Sequence, residues 1–299
     1  MSLSRQQLIL LVLLTLVWGF NWPIMKFGVT GFPPLTFRTI CMWLGLPVLA
    51  GFLLWRREPF AIARTHWREL ASLTVFNMFF WHTLAILAIQ SLSSGRAAIL
   101  GYTMPVFSAV IGALWFGQRL IPRAWVGVAA AALGVLLLLW HEISSLSGRP
   151  LGVAMMLVAA ATWAIGTQLL RRTRINAPTL AISFWMTLLT TLWMTLLSLI
   201  FERGDWVAPN PAQWAAIVYN ALGVFAFAQV AWLVLARELP PIASTLSVMF
   251  IPVLGVFSGA VWLDEVLHWQ DWAAVVLVMI AIATVLWPAR TDDTRSTGH

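Results

Sequence analysis

The chain has 299 residues, of which 61% are hydrophobic and only 10% charged, with a mean hydropathy of +0.86. So few charges cannot clothe a water-soluble surface, which excludes a soluble globular domain and makes lipid the expected solvent. The net charge of +7 is distributed over short connectors, so it reads as a membrane-topology signal and not as a nucleic-acid footprint.

Apolar runs close to the roughly 20 residues that a helix needs to cross a bilayer recur along the whole chain. Read in order, they predict helices at Leu8–Gly28, Leu35–Trp55, Leu70–Ile89, Ala97–Phe116, Trp125–Trp140, Leu151–Leu170, Leu180–Phe201, Ala212–Leu235, Ala243–Leu263 and Trp272–Trp287. The first run follows only Arg5 and lacks an A-x-A cleavage pattern, so it is expected to be a retained helix and not a signal peptide. Cys41, the single cysteine, lies inside the second run and reads as a small packing residue.

Alternate connectors differ in charge. With the N-terminus in the cytoplasm, the inner segments hold Arg5, Arg56, Arg57, Arg64, Arg68, Arg119, Arg123, Arg171, Arg172, Arg174, Arg237, Arg290 and Arg295. The outer side and its flanks keep Lys26, Arg38, Arg96, Arg149 and Arg203. The positive-inside rule therefore predicts both termini in the cytoplasm, which an even number of spans requires.

An internal repeat is the most informative feature. Pro105-Val106, Gly112-Ala-Leu-Trp115, Leu120, Trp125 and Trp140 recur at an offset of 147 as Pro252-Val253, Gly259-Ala-Val-Trp262, Leu267, Trp272 and Trp287. An offset of 145 pairs Trp18 with Trp163, Lys26 with Arg171 and Pro33 with Pro178. The expected fold is an all-α membrane protein of ten transmembrane helices, built as two five-helix halves, 1–145 and 146–299. Five is odd, so the second half must enter from the opposite face, and the repeats must be inverted. Inverted repeats enclosing a midplane site suit a transporter, because two similar halves can exchange inward-open and outward-open shapes.

Trp18-Gly19 with Asn21 and Lys26, Trp163 through Arg171, and Pro252, Trp262 and Asp264-Glu265 appear in an order and spacing that resemble the drug/metabolite transporter superfamily, EamA-type. The likeness covers nearly the whole chain. Gly117-Gln118 departs from it, since family members often carry an acidic residue there. The Asn21-Trp22 stretch, the run from Asn77 to His82 and the aromatic richness are most similar to bacterial aromatic amino acid exporters of the YddG type. That resemblance implies outward movement of Phe, Tyr and Trp across a bacterial inner membrane.

The residues themselves point to a ring-lined chamber. Trp55, Trp67, Trp125, Trp140, Trp214, Trp269, Trp272 and Trp287 fall at helix ends and read as interfacial belt residues. Trp18, Trp81, Trp163, Trp185, Trp193 and Trp232 lie within spans, where an indole N–H needs a partner or a polar cavity. Trp18, Asn21 and Trp22 share one face of the first helix, and Asn77 and Trp81 share one face of the third, beside His82. Trp163, Thr167 and Gln168 repeat the pattern in the sixth. Amides and imidazole are costly in lipid, so these residues should face the bundle interior, as ligands or as interhelical hydrogen-bond partners.

The fourth and ninth helices supply the other walls, with Tyr102, Ser244, Ser247 and Phe250 as further lining candidates. Gly101, Gly112, Gly255 and Gly259 permit close approach or sliding. Pro105 and Pro252 each remove a helical hydrogen bond and mark candidate hinges. The candidate substrate-binding set is thus Trp18, Asn21, Asn77, Trp81, His82, Tyr102, Trp163, Gln168, Ser244, Ser247 and Phe250.

Charge placement narrows the chemistry. No Asp or Glu falls in the centre of a predicted span, which disfavours carboxylate-based antiport, and mid-span arginines do not cluster as a phosphate site would require. His82 is the only ionisable side chain expected near mid-span and reads as a hydrogen-bond residue ahead of a proton relay. Lys26 and Arg38 are expected near the outer mouth as snorkelling anchors ahead of contacts for a departing carboxylate. No HExxH or GxSxG is found, so no enzyme, metal or cofactor is expected. The expected partners are the lipid bilayer and a small solute, neutral or zwitterionic with an aromatic side chain, acting on a monomer. A broader exporter of drugs or organic cations and a non-transporting scaffold are the alternatives.

Overall fold

The computed structural model describes residues 5–118, 122–144, 149–229, 231 and 241–286, with the backbone alone for 142, 144, 241–249, 285 and 286. Among the described residues every regular element is helical. In chain order the helices are α1 (Arg5–Gly28), α2 (Pro34–Trp55), α3 (Arg64–Ser91), α4 (Ser94–Phe116), α5 (Pro122–Ser144), α6 (Pro150–Leu170), α7 (Thr179–Phe201), α8 (Pro211–Ala228), α9 (Pro241–Leu263) and α10 (Trp269–Leu286). Eight of them, α1 to α8, are long and apolar enough to cross a membrane, while α9 and α10 contribute the shorter apolar stretches Phe250–Leu263 and Trp269–Thr284. The start of α9 and the ends of α8 and α10, including Trp232 and Trp287, fall wholly or partly outside the described residues.

Helix starts follow from local chemistry. Pro opens α2, α5, α6, α8 and α9, where its missing N–H costs nothing and its fixed φ suits the first turn. Asn210 and Gln213 close a reciprocal capping box on α8, at 2.8 and 3.0 Å. The Pro33 cap of α2 has no side chain to offer, and that duty passes to Glu202, at the end of α7. Its carboxylate accepts from Leu35 N–H at 2.9 Å, Thr36 N–H at 2.6 Å and Thr36 Oγ1 at 2.7 Å.

Three interior irregularities escaped the periodicity. Instead of one kinked helix, α4 is two segments, Ser94–Gly101 and Met104–Phe116, with Pro105 in the first turn of the second. Pro105 cannot bond the Gly101 carbonyl and its ring crowds that turn, so the chain breaks at Tyr102-Thr103, where Thr103 Oγ1 donates to Leu100 O at 2.6 Å. Pro252, its counterpart in sequence, lies inside an uninterrupted α9. The other two irregularities are π-helical stretches, Thr74–Phe79 in α3 and Tyr219–Ala228 in α8; such widened turns occur often at functional sites.

Packing pairs helices across the two sequence repeats. α1 lies on α9, α6 on α4, α2 on both α7 and α8, α3 on α7, α5 on α10, and α4 on α9. Exchanging each helix with the one five places later leaves this pattern unchanged: α1–α9 becomes α6–α4, and α2–α8 becomes α7–α3. Small residues make the closest approaches. A Cβ at Gly166 of α6 would stand 2.6 Å from both Cα and N of Asn77, and one at Gly19 of α1 would stand 2.7 Å from Leu254 of α9. Facing outward, Trp55, Trp125, Trp140, Trp214, Trp269 and Trp272 are exposed, as suits side chains at a lipid interface.

Candidate functional site

Seven helices, α1 to α4 and α6 to α8, surround a cavity of about 550 Å³, to which Ala124 of α5 also contributes. That volume falls within the roughly 300–1,000 Å³ of small-molecule sites. Rings form much of its wall. Trp81 of α3 and Trp163 of α6 lie 5.3 Å apart at 59°, and Trp22 of α1 meets Tyr102 of α4 edge-on at 6.3 Å and 67°. Trp18 lines the same space. Gly101 and Gly255 sit against these rings: a Cβ would stand 2.8 Å from Trp22 in the first case, and 2.7 Å from Ala98 and 3.3 Å from Trp22 in the second.

Of the expected lining residues, Trp18, Asn21, Asn77, Trp81, His82, Tyr102, Trp163 and Gln168 share this one cavity, together with Pro105. Phe250 does not: its side chain is 53% exposed on the outer surface of α9. The sequence repeat located the helix but not the face of it. Ser244 and Ser247 carry side chains outside the described residues. Gly112 faces Gln118 and Gln168, and Gly259 faces Ser94 and Glu265, so both mark helix contacts away from the rings. Of the other mid-span tryptophans, Trp185 donates to Phe60 O at 2.6 Å and Trp193 is 45% exposed.

The polar residues divide into committed and uncommitted groups. Gln168 Nε2 donates to Ser108 O at 2.7 Å and Ser108 Oγ at 3.0 Å, while its Oε1 accepts from Arg172 at 2.8 Å and Gln118 at 3.3 Å. It is therefore a strut joining α6 to α4. Asn77 reaches the Trp163 carbonyl at 3.5 Å. Among the described residues Asn21 Oδ1 and His82 Nδ1 are buried without a hydrogen-bond partner, an uncommon condition for native polar atoms.

Arg38 corrects the expectation of a snorkelling anchor at the outer mouth. It is 3% exposed and lines the cavity. Its Nη1 reaches Asn220 Oδ1 at 3.5 Å, its Nη2 rests on Met25 Sδ at 2.7 Å, and its guanidinium lies 5.6 Å from the Phe225 ring. Sequence held the signal, because a cation four residues into an apolar span is costly in lipid and should turn inward. Only the fold shows which way it turned.

The two ends of the cavity differ. At one end its lining includes Gln118 and Arg171, both exposed, together with Thr179 and Gln229. These lie at the helix ends on the face that carries the start of α1, so the cavity reaches the surface there. At the other end a set of polar ties joins helix termini. Lys26 Nζ donates to the carbonyls of Ile89 and Gln90 at 3.0 and 2.9 Å. Glu265 accepts from Ser94 N–H at 2.6 Å, Ser94 Oγ at 2.9 Å and Gly95 N–H at 3.3 Å, capping α4 across the helix pair. Arg96 and Asp271 pair at 2.7 Å. Lys26 on carbonyls at the end of α3, and Glu265 and Asp271 at the starts of α4 and α10, are favoured by the terminal partial charges, whereas Arg96 at the start of α4 is held by its pairing with Asp271.

Comparison with known proteins gives the same kind of molecule. The profile of the EamA-like transporter family matches residues 6–140 and, separately, residues 150–287. The chain is 25% identical to the uncharacterized transporter YoaV of Bacillus subtilis, over 91% of this chain and 92% of that one. It is 26% identical to the uncharacterized inner membrane transporter YedA of Escherichia coli K12, over 93% and 91%. It is 25% identical to a probable amino-acid metabolite efflux pump of the same strain, over 94% of each chain. A solved crystal structure shares its fold with a TM-score of 0.69 at 19% identity, covering 96% of this chain and all of that one. With both profile matches spanning most of its length, the chain is a multi-pass membrane protein that belongs to the EamA-like transporter family, within the drug/metabolite transporter superfamily.

Proposed function

We propose that this protein exports aromatic amino acids, or closely similar aromatic solutes, across a bacterial inner membrane by alternating access. The observation that carries the reading is the ring-lined cavity, with Trp81 and Trp163 paired and Trp22 set against Tyr102. Indole walls stack on an aromatic side chain and exclude few shapes, and π-faces receive an ammonium group. A relative named as a probable amino-acid metabolite efflux pump supports the solute class.

The mechanism rests on two inverted five-helix halves, 1–145 and 146–299, both termini cytoplasmic, working as a monomer. The exchange-invariant packing and the two separate profile matches support that division. The face bearing Gln118 and Arg171 is then cytoplasmic, and a cavity that reaches the surface there opens inward. Transport consists of parting the ties at Lys26, Glu265 and Arg96 while α4 and α9 close the opposite end, using the break beside Pro105.

The test is flux of labelled phenylalanine, tyrosine and tryptophan by the purified protein in liposomes, with and without an imposed pH gradient. Saturable movement competed by the other two supports the proposal, and indifference to the gradient assigns facilitated diffusion. Flux of aliphatic amino acids alone overturns the aromatic assignment.

A further inference from the structure

We propose that Arg38 is the carboxylate anchor of the cavity, so that the transported solute must carry an acidic group. This deepens the reading of the cavity as the solute site and rests on it.

Three observations converge. The guanidinium of Arg38 is almost wholly buried, yet among the described residues no carboxylate pairs with it. A buried cation without an anion is among the most costly arrangements a protein carries, and in a membrane span it marks function. Second, its hydrogen-bonding capacity is barely used. Among the described residues Nε has no partner, Nη2 rests on a neutral thioether, and Nη1 reaches Asn220 only at 3.5 Å. A guanidinium offers donors in a planar fork that matches a carboxylate. Third, the same cavity holds two more unpartnered polar atoms, Asn21 Oδ1 and His82 Nδ1. The Asn21 oxygen is an acceptor suited to an ammonium group, which places both ends of an amino acid zwitterion within one chamber.

Position adds direction. Arg38 lies one turn into α2, close to the Glu202 cap at Leu35 and Thr36, and thus toward the tied end of the cavity. A solute entering past Gln118 and Arg171 meets Arg38 beyond the paired rings, carboxylate first. The same charge repels organic cations that bring no anion of their own, which separates this cavity from one built for cationic drugs.

The test measures binding of three matched solutes to purified protein by quenching of its tryptophan fluorescence: phenylalanine, 3-phenylpropionate, which keeps only the carboxylate, and phenethylamine, which keeps only the ammonium. The wild type is expected to bind the first two and to bind phenethylamine at least about tenfold more weakly. R38Q should lose about tenfold or more in affinity for phenylalanine and 3-phenylpropionate, and R38K should recover part of that loss. Equal binding of phenethylamine and 3-phenylpropionate by the wild type overturns the proposal without any variant, so it stays open to refutation should R38Q fail to fold. Unchanged affinities in a folded R38Q overturn it as well. If 3-phenylpropionate binds through Arg38 but no aromatic amino acid crosses the liposome membrane, the carboxylate anchor stands and the assigned solute falls.

Discussion

Glu265, in the turn that follows α9, holds the first turn of α4 by accepting from Ser94 N–H at 2.6 Å and Ser94 Oγ at 2.9 Å. Its counterpart at an offset of 147 is Gln118, and the two turns match closely. Gly117 and Asp264 both take positive φ, 64° and 51°, and the next residue in each donates its N–H back to Gly112 or Gly259. One turn therefore carries an acid that caps α4 at the tied end. The other carries a neutral amide at the open end.

E265Q should loosen the tied end. Losing a charge-assisted helix cap costs about 1–2 kcal/mol, or roughly five- to thirtyfold in an equilibrium between two states. A cysteine placed at Tyr102 in a C41A background should then react several-fold faster with an impermeant thiol reagent added from the tied face. Equal labelling rates would show that Glu265 does not hold the closure.

G166A should destabilise the protein, because the added methyl would stand 2.6 Å from the backbone of Asn77 in the π-helical part of α3. Forcing a close helix contact apart costs about 1–3 kcal/mol. Thermal unfolding in detergent should show a lower midpoint for G166A than for G51A, since a Cβ at Gly51 meets nothing within 4 Å. Matched midpoints would mean that α3 and α6 can separate without penalty.

W163A should weaken flux of aromatic solutes by about two- to tenfold, from loss of an aromatic pair worth roughly 0.5–1.5 kcal/mol. W163F should retain most of it. W193A is the comparison, because Trp193 faces outward against Phe79 at 4.9 Å and is absent from the cavity wall. An equal loss in W163A and W193A would place the effect on folding and not on the site.

P105A should restore a donor to the Gly101 carbonyl and favour continuous helix through Tyr102-Thr103, since a proline in a helix interior costs about 3 kcal/mol or more. Turnover should fall several-fold with little change in binding. P252A, in a helix that is already unbroken, should change turnover less. Unchanged turnover in both variants would remove these prolines from the mechanism.

The sequence by itself determined the solvent, the all-helical class and the residues that are costly in lipid. Hydrophobic length and the price of burying an amide act locally, so Asn21, Asn77, Trp81, His82 and Gln168 were legible as inward-facing. What only the tertiary structure decided is which of these polar groups find partners. Gln168 is consumed in holding α6 to α4, whereas Asn21 Oδ1, His82 Nδ1 and Arg38 Nε are left open within one cavity. The face of α9 that turns Phe250 outward, the π-helical turns in α3 and α8, and the break before Pro105 were decided there too. Each depends on neighbours distant in the chain, and a periodicity of 3.6 residues carries no record of them.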